Sequence, residues 1–177
     1  MRWHPTARTR KWSLFAHIVF SSAWFGMDLA LGVLVCTALI TDSTAVASTA
    51  LQALRLFAVW PMLSAALLTL VTGVVLGLGS KYGVVRYWWV TAKLAATVLM
   101  VVLIYFSLRL GLDEAAVYGR EIAAGTASAT RASGLLPPVV VAPSLLLFSF
   151  VLSVFKPWGR VRRPAAERPV VTVRDGA

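Results

Sequence analysis

Apolar residues run along this chain in four long blocks, about 13–40, 54–79, 87–108 and 139–155, separated by short polar breaks. Each block is about as long as the roughly 20 residues an α-helix needs to cross some 30 Å of hydrocarbon, the last one narrowly. None alternates with period two, as a half-buried strand would. The pattern predicts an all-α fold, an antiparallel up-and-down bundle of four transmembrane helices over 13–156. A basic N-tail (1–12) precedes it and a basic, Pro-containing C-tail (157–177), read as disordered, follows it. A cleaved signal peptide would need an apolar core of about 7 to 15 residues. The first block is 28 residues long and holds Asp28, so it is read as a retained span.

The third connection, about 111–138, is long for a compact bundle. Its first half, with Asp113 and Glu114, is able to continue the third helix beyond the membrane, whereas 124–134 is rich in Ala, Ser, Thr and Gly and reads as a loop. Pro137 and Pro138 suit the start of a helix, where a missing N–H costs nothing. There is no internal repeat of the kind that marks many secondary transporters.

Composition agrees with the pattern. Hydrophobic residues make up 59% and charged residues 14% of the 177, against roughly 45–50% and about 25% in soluble domains. Lys and Arg number 17 against seven Asp and Glu, a net charge of +10. Their placement gives the orientation: four in the N-tail (Arg2, Arg8, Arg10, Lys11), two in the second loop (Lys81, Arg86) and six in the C-tail fall on one side. Positive charges in short loops resist translocation, so that side is cytoplasmic and both termini lie there, in the cytoplasmic membrane. Trp12, Tyr87, Trp88, Trp89 and Trp158 mark the inner edge, and Tyr105 and Phe106 the outer one. The tails are expected to meet anionic lipid. The C-tail lacks the interleaved aromatic residues of a nucleic-acid surface. A single cysteine, Cys36, and the absence of Cys/His spacing exclude an intramolecular disulfide and a zinc module, and no metal site is expected.

Ionisable groups inside a span are costly and are candidates for function. His17, Ser21, Trp24 and Asp28 recur at helical spacing and share one face of the first helix, which should look into the bundle. His17 lies five residues past Trp12 and Lys93 six past Tyr87, so both sit about 8–9 Å in from the inner edge. Together they are able to hold an anionic or metal-centred ligand. The plainer uses are an interhelical hydrogen bond to Ser, Thr or a carbonyl for His17 and snorkelling to the headgroups for Lys93. Asp28, deeper in, and Arg55, entering from the outer end of the second helix, are expected to form an ion pair that sets helix register. Ala65, Thr69, Gly73 and Gly77 recur every four residues on the second helix, a small-residue face for close packing within the bundle or between proteins. Pro61 and Pro143 are positioned to kink their helices. Met27, Met62 and Met100 read as core.

The chain resembles a bacterial family of small four-helix integral membrane proteins of unknown function. The residues carrying the likeness are Trp24-Phe25-Gly26-Met27-Asp28, Thr72-Gly73 through Leu78-Gly79, Trp88-Trp89-Val90 with Lys93-Leu94, and Val141-Ala142-Pro143 with Lys156-Pro157-Trp158-Gly159. More distantly it is similar to the flavin-free membrane protoporphyrinogen oxidases and to the copper-resistance D membrane proteins. In the oxidases the first-helix His and third-helix Lys are the functional positions, which here are His17 and Lys93. The Asn-Glu pair that precedes the last-helix proline there is absent, Val140-Val141-Ala142 standing before Pro143. Three roles follow as expectations. The leading one is a non-enzymatic membrane helper that docks another membrane protein, or a second copy of itself, through the small-residue face. The alternatives are a heme- or tetrapyrrole-binding protein using His17 and Lys93, with Met100 or a dimer partner as second axial ligand, and a small transporter with a polar path through Asp28 and Lys93.

Overall fold

The computed structural model describes residues 6–80, 84–126, 136–156 and 159. Among them the chain is helical: α1 (Ala7–Ile40), α2 (Thr44–Ala58), α3 (Trp60–Leu78), α4 (Trp88–Leu103), α5 (Arg109–Ala123) and α6 (Leu136–Phe155). A five-residue π-helical turn, Ile104–Leu108, joins α4 to α5, with the Arg109 N–H donating to the Ile104 carbonyl five residues back. The run from Trp88 to Ala123 is therefore one continuous 36-residue helix, about 54 Å long at 1.5 Å per residue.

Four helices are long and apolar enough to cross a membrane: Ala7–Ile40, Trp60–Leu78, Trp88–Ala123 and Leu136–Phe155. Their surfaces are the inverse of a water-soluble protein's. Val33, Leu68, Val98, Phe148 and Val154 are all exposed on them, and an apolar surface of that extent needs a nonaqueous neighbour. The face of α1 that is buried carries Ser21, Trp24, Asp28, Leu31, Val35 and Ala38 at helical spacing, so the stripe on which Ser21, Trp24 and Asp28 lie does turn inward. Trp24 and Met62 have no exposed surface and, with Leu31, Leu63, Ala66 and Met100, form the core between α1, α3 and α4.

Two features differ from the sequence pattern. The second block, expected as one span from Leu54, is two helices that part at Val59, and Pro61 lies in the first turn of α3 rather than inside a helix. There its missing N–H is one of the helix's unpaired donors, and the helical run is broken at Val59, just before the proline, rather than bent within α3. The residues between the first two blocks, expected as a polar break, fold into α2. Ser43 caps it by accepting from the Val46 N–H at 3.4 Å, and Ala47, Ala50, Leu51 and Leu54 are buried at helical spacing. They pack on α5, whose buried face is Leu112, Ala115, Ala116, Gly119 and Ile122. Gly119 permits this approach, because a Cβ there would lie 3.1 Å from the Ser48 carbonyl oxygen and 3.1 Å from Leu51 Cβ.

Helix α1 also begins earlier than the span drawn from sequence, so Arg8, Arg10 and Lys11 stand on its first turns. Pro137 and Pro138 fall in the first turn of α6, Pro143 inside it. The tail expected over 157–177 lies outside the described residues apart from Gly159, as do Arg2, Lys81 and Arg131.

Candidate functional site

A cavity of about 540 Å³ lies among α1, α3, α4 and α6, within the range of small-molecule sites. It is lined by the early part of α1 (Arg10, His17, Ser21), the late part of α3 (Gly73, Gly77), the early part of α4 (Trp89, Lys93) and the late part of α6 (Ser149, Ser153). Leu14, Leu70, Val74, Leu94 and Phe150 supply apolar wall. The sequence-predicted pair, His17 and Lys93, thus opens onto one space.

The imidazole is held by α3. His17 Nδ1 lies 3.1 Å from the Thr69 carbonyl oxygen and 3.0 Å from Thr72 Oγ1. A carbonyl only accepts, so Nδ1 carries the proton and Nε2 keeps the lone pair of the neutral ring. Thr72 is able to accept from the same N–H because its own hydroxyl proton goes to the Leu68 carbonyl at 2.6 Å. Ring orientation and tautomer are therefore set by the backbone of a neighbouring helix, the arrangement that prepares a histidine to act through its other nitrogen. Gly73 makes the room: a Cβ there would stand 3.2 Å from His17 Cε1.

Lys93 reaches across the cavity rather than out to solvent. Its ammonium donates to Ser153 Oγ, and that hydroxyl passes its own proton to the Ser149 carbonyl at 3.1 Å. Three N–H donors belong to an ammonium, and the serine accepts from one of them. With Arg10 the site has two cationic side chains, and no carboxylate appears among its lining residues. Such a cavity, walled by apolar groups and carrying cations alone, favours an anionic group attached to an apolar body.

The other predicted residues fall elsewhere. The Asp28–Arg55 ion pair does not form. Arg55 points from α2 to α5, with Nε 3.1 Å from Asp113 Oδ1, both side chains well exposed. Asp28 is only 4% exposed and its Oδ2 has no hydrogen-bond partner. It lines a second cavity of about 240 Å³ among α1, α3, the π turn and α6, which shares no lining residue with the first. A polar path joining Asp28 to Lys93 is thus interrupted, and between the two levels stands the fully buried Trp24. Met100, considered as a second axial ligand, also lines the Asp28 cavity and not the one holding His17.

The small-residue face of α3 is turned inward. Ala65 and Thr69 are buried, and the half-buried Gly73 and Gly77 line the His17 cavity, so this face packs within the chain along its first half and borders open space along its second. Three residues of the site were not singled out from sequence as part of it: Thr72, Ser153 and Arg10. Thr72 lies three residues beyond Thr69, and Ser149 and Ser153 repeat at four-residue spacing on a helix whose one other polar side chain, Ser144, is exposed, a short polar stripe on the inward face of α6. Among the described residues no group of three or more His, Cys, Asp or Glu side chains is placed to hold a metal ion. Compared with protein-family models, with curated proteins and with solved structures, the chain matches none.

Proposed function

We propose that the chain is a bacterial inner-membrane protein whose four long helices form an antiparallel up-and-down bundle with both termini cytoplasmic, and that its larger cavity binds an amphipathic anion. The lining supports the alternation of directions, since one cavity takes the beginnings of α1 and α4 and the ends of α3 and α6. Arg8, Arg10 and Lys11 stand at that same end, which the positive-inside rule makes cytoplasmic. Trp12 and Trp88, 62% and 55% exposed, stand where headgroups would meet the helices.

The observation carrying the ligand assignment is an apolar-walled space in which no described lining residue is an acid to oppose Lys93 and Arg10, and His17 is oriented by Thr69. A carboxylate-bearing tetrapyrrole uses all of it. Its acid groups would pair with Lys93 and Arg10, its ring with the apolar wall, and His17 Nε2 would be the nitrogen available to a central iron. Binding, rather than chemistry on the ligand, is the role assigned. The test is a titration of hemin into the purified protein in neutral-lipid nanodiscs, followed by visible absorption. The wild type should give a saturable Soret shift that His17→Ala removes, with retained but altered ligation absent. A wild-type spectrum identical to that of empty nanodiscs would remove heme from the account. Metal-free protoporphyrin tested alongside shows whether the carboxylates alone are recognised.

A further inference from the structure

The second cavity shares an apolar wall with the first but carries a carboxyl where the first carries cations. Apart from Asp28 its lining is apolar, with Leu31 from α1, Met62 from α3, Ile104 from the π turn, and Val141 and Leu145 from α6. Asp28 is 96% buried in this wall; its Oδ2 has no hydrogen-bond partner among the described residues, and its one sequence-predicted cation, Arg55, is bound to Asp113. A buried carboxyl oxygen with nothing to meet is costly, and such groups persist where a ligand supplies the partner. Arg10, Lys93 and His17 all line the other cavity, so no cationic side chain is among the described residues that line the Asp28 cavity.

Size and access narrow the partner. The volume, about 240 Å³, exceeds the roughly 150 Å³ of an engineered apolar cavity that accepts benzene. It leaves room for a phenyl-sized body and a short arm. Leu103 and Val141 line the cavity and are also 42% and 48% exposed, on α4 and α6. Pro137, at the start of α6, is a third exposed lining residue. The apolar flank between α4 and α6 therefore offers one approach, by way of lipid. The π turn places Ile104 and Leu108 on this wall, the kind of local helix distortion that recurs at binding sites.

We infer that the Asp28 cavity is a second ligand site, separate from the His17–Lys93 cavity, and that it takes a small lipophilic amine whose ammonium pairs with the Asp28 carboxylate. The assignment stands independently of the anion site, and the two are distinguishable by which substitution each ligand feels.

The probe is 2-phenylethylammonium, with n-propylbenzene as its neutral isostere, measured by equilibrium dialysis against the full chain in phosphatidylcholine nanodiscs with empty nanodiscs subtracted. Wild type should bind the ammonium saturably and in preference to the hydrocarbon. Asp28→Asn should weaken the ammonium at least about thirty-fold while leaving n-propylbenzene within about two-fold, as expected for loss of a buried charge partner. Lys93→Met should leave both unchanged. Ala142→Phe, which fills the cavity and keeps the carboxylate, should abolish binding of both probes and covers the case in which Asp28→Asn does not fold. Ammonium binding no better than to empty nanodiscs, or equal in wild type and Asp28→Asn, or undiminished in Ala142→Phe, overturns the assignment.

Discussion

Two glycines, one on each side of the molecule, are put to opposite uses. Gly119 of α5 is a contact residue: its missing Cβ lets the helix settle onto the backbone of α2 at Ser48 and the side chain of Leu51. Gly73 of α3 is a spacer: its missing Cβ makes room for an imidazole, and beyond the imidazole is open space. The α2–α5 pair is filled to its backbone, as cores usually are. The region between α1, α3, α4 and α6 is left unfilled and lined with polar groups that take their partners from neighbouring helices. Packing that stops short in this way is a mark of a site, and the same small residue read from sequence gives no hint of which use it serves.

The contrast can be broken at several points. The largest effect is expected from Leu51→Ala, which removes a side chain only 1% exposed from the filled region. It should cost about 3 kcal/mol, read as a lowered unfolding midpoint in mild detergent. Gly119→Leu should follow, at about 2 kcal/mol, because the new side chain meets the Ser48 carbonyl oxygen, a backbone atom that cannot turn aside. Gly73→Leu should leave the midpoint within about 1 kcal/mol, since the group it meets is the free end of a side chain and leucine is the better helix former by nearly that amount. It should nonetheless abolish tetrapyrrole binding by displacing His17 from Thr69. A Gly73→Leu protein that binds like wild type would show that the cavity is not the site. Smallest of all is Arg55→Met. The ion pair with Asp113 is exposed by 57% and 44% at its two side chains, and such pairs contribute about 0.2–1 kcal/mol, so its midpoint should scarcely move.

Much of this architecture was legible before any coordinates. Four spans follow from block length, and helical rise alone put His17 and Lys93 at one depth, where the structure brings them to one cavity. What was missed has physical causes. The small and polar residues of helix α2 read as a break, although Ser43 before it and the Ala47, Ala50, Leu51, Leu54 spacing are cap and stripe signals. Missing α2 misplaced Arg55. Drawn into a span, it had Asp28 as its natural partner; carried on a separate helix, it turns to Asp113 instead. The π turn at Ile104–Leu108 has no sequence signature, and neither does an unfilled volume, since a cavity is what the helices fail to occupy once their crossings are set.

The central claim is that Lys93 holds the acid group of an amphipathic anion in the larger cavity. It is tested most directly by binding of metal-free protoporphyrin to wild type, Lys93→Met and Lys93→Arg in neutral nanodiscs, followed by porphyrin fluorescence. The ammonium is held inside by Ser153, and removing a partly buried charge partner should cost about 2 kcal/mol, near thirty-fold in affinity. Lys93→Arg, which keeps the charge, should recover most of it. Equal affinity in wild type and Lys93→Met would contradict the account.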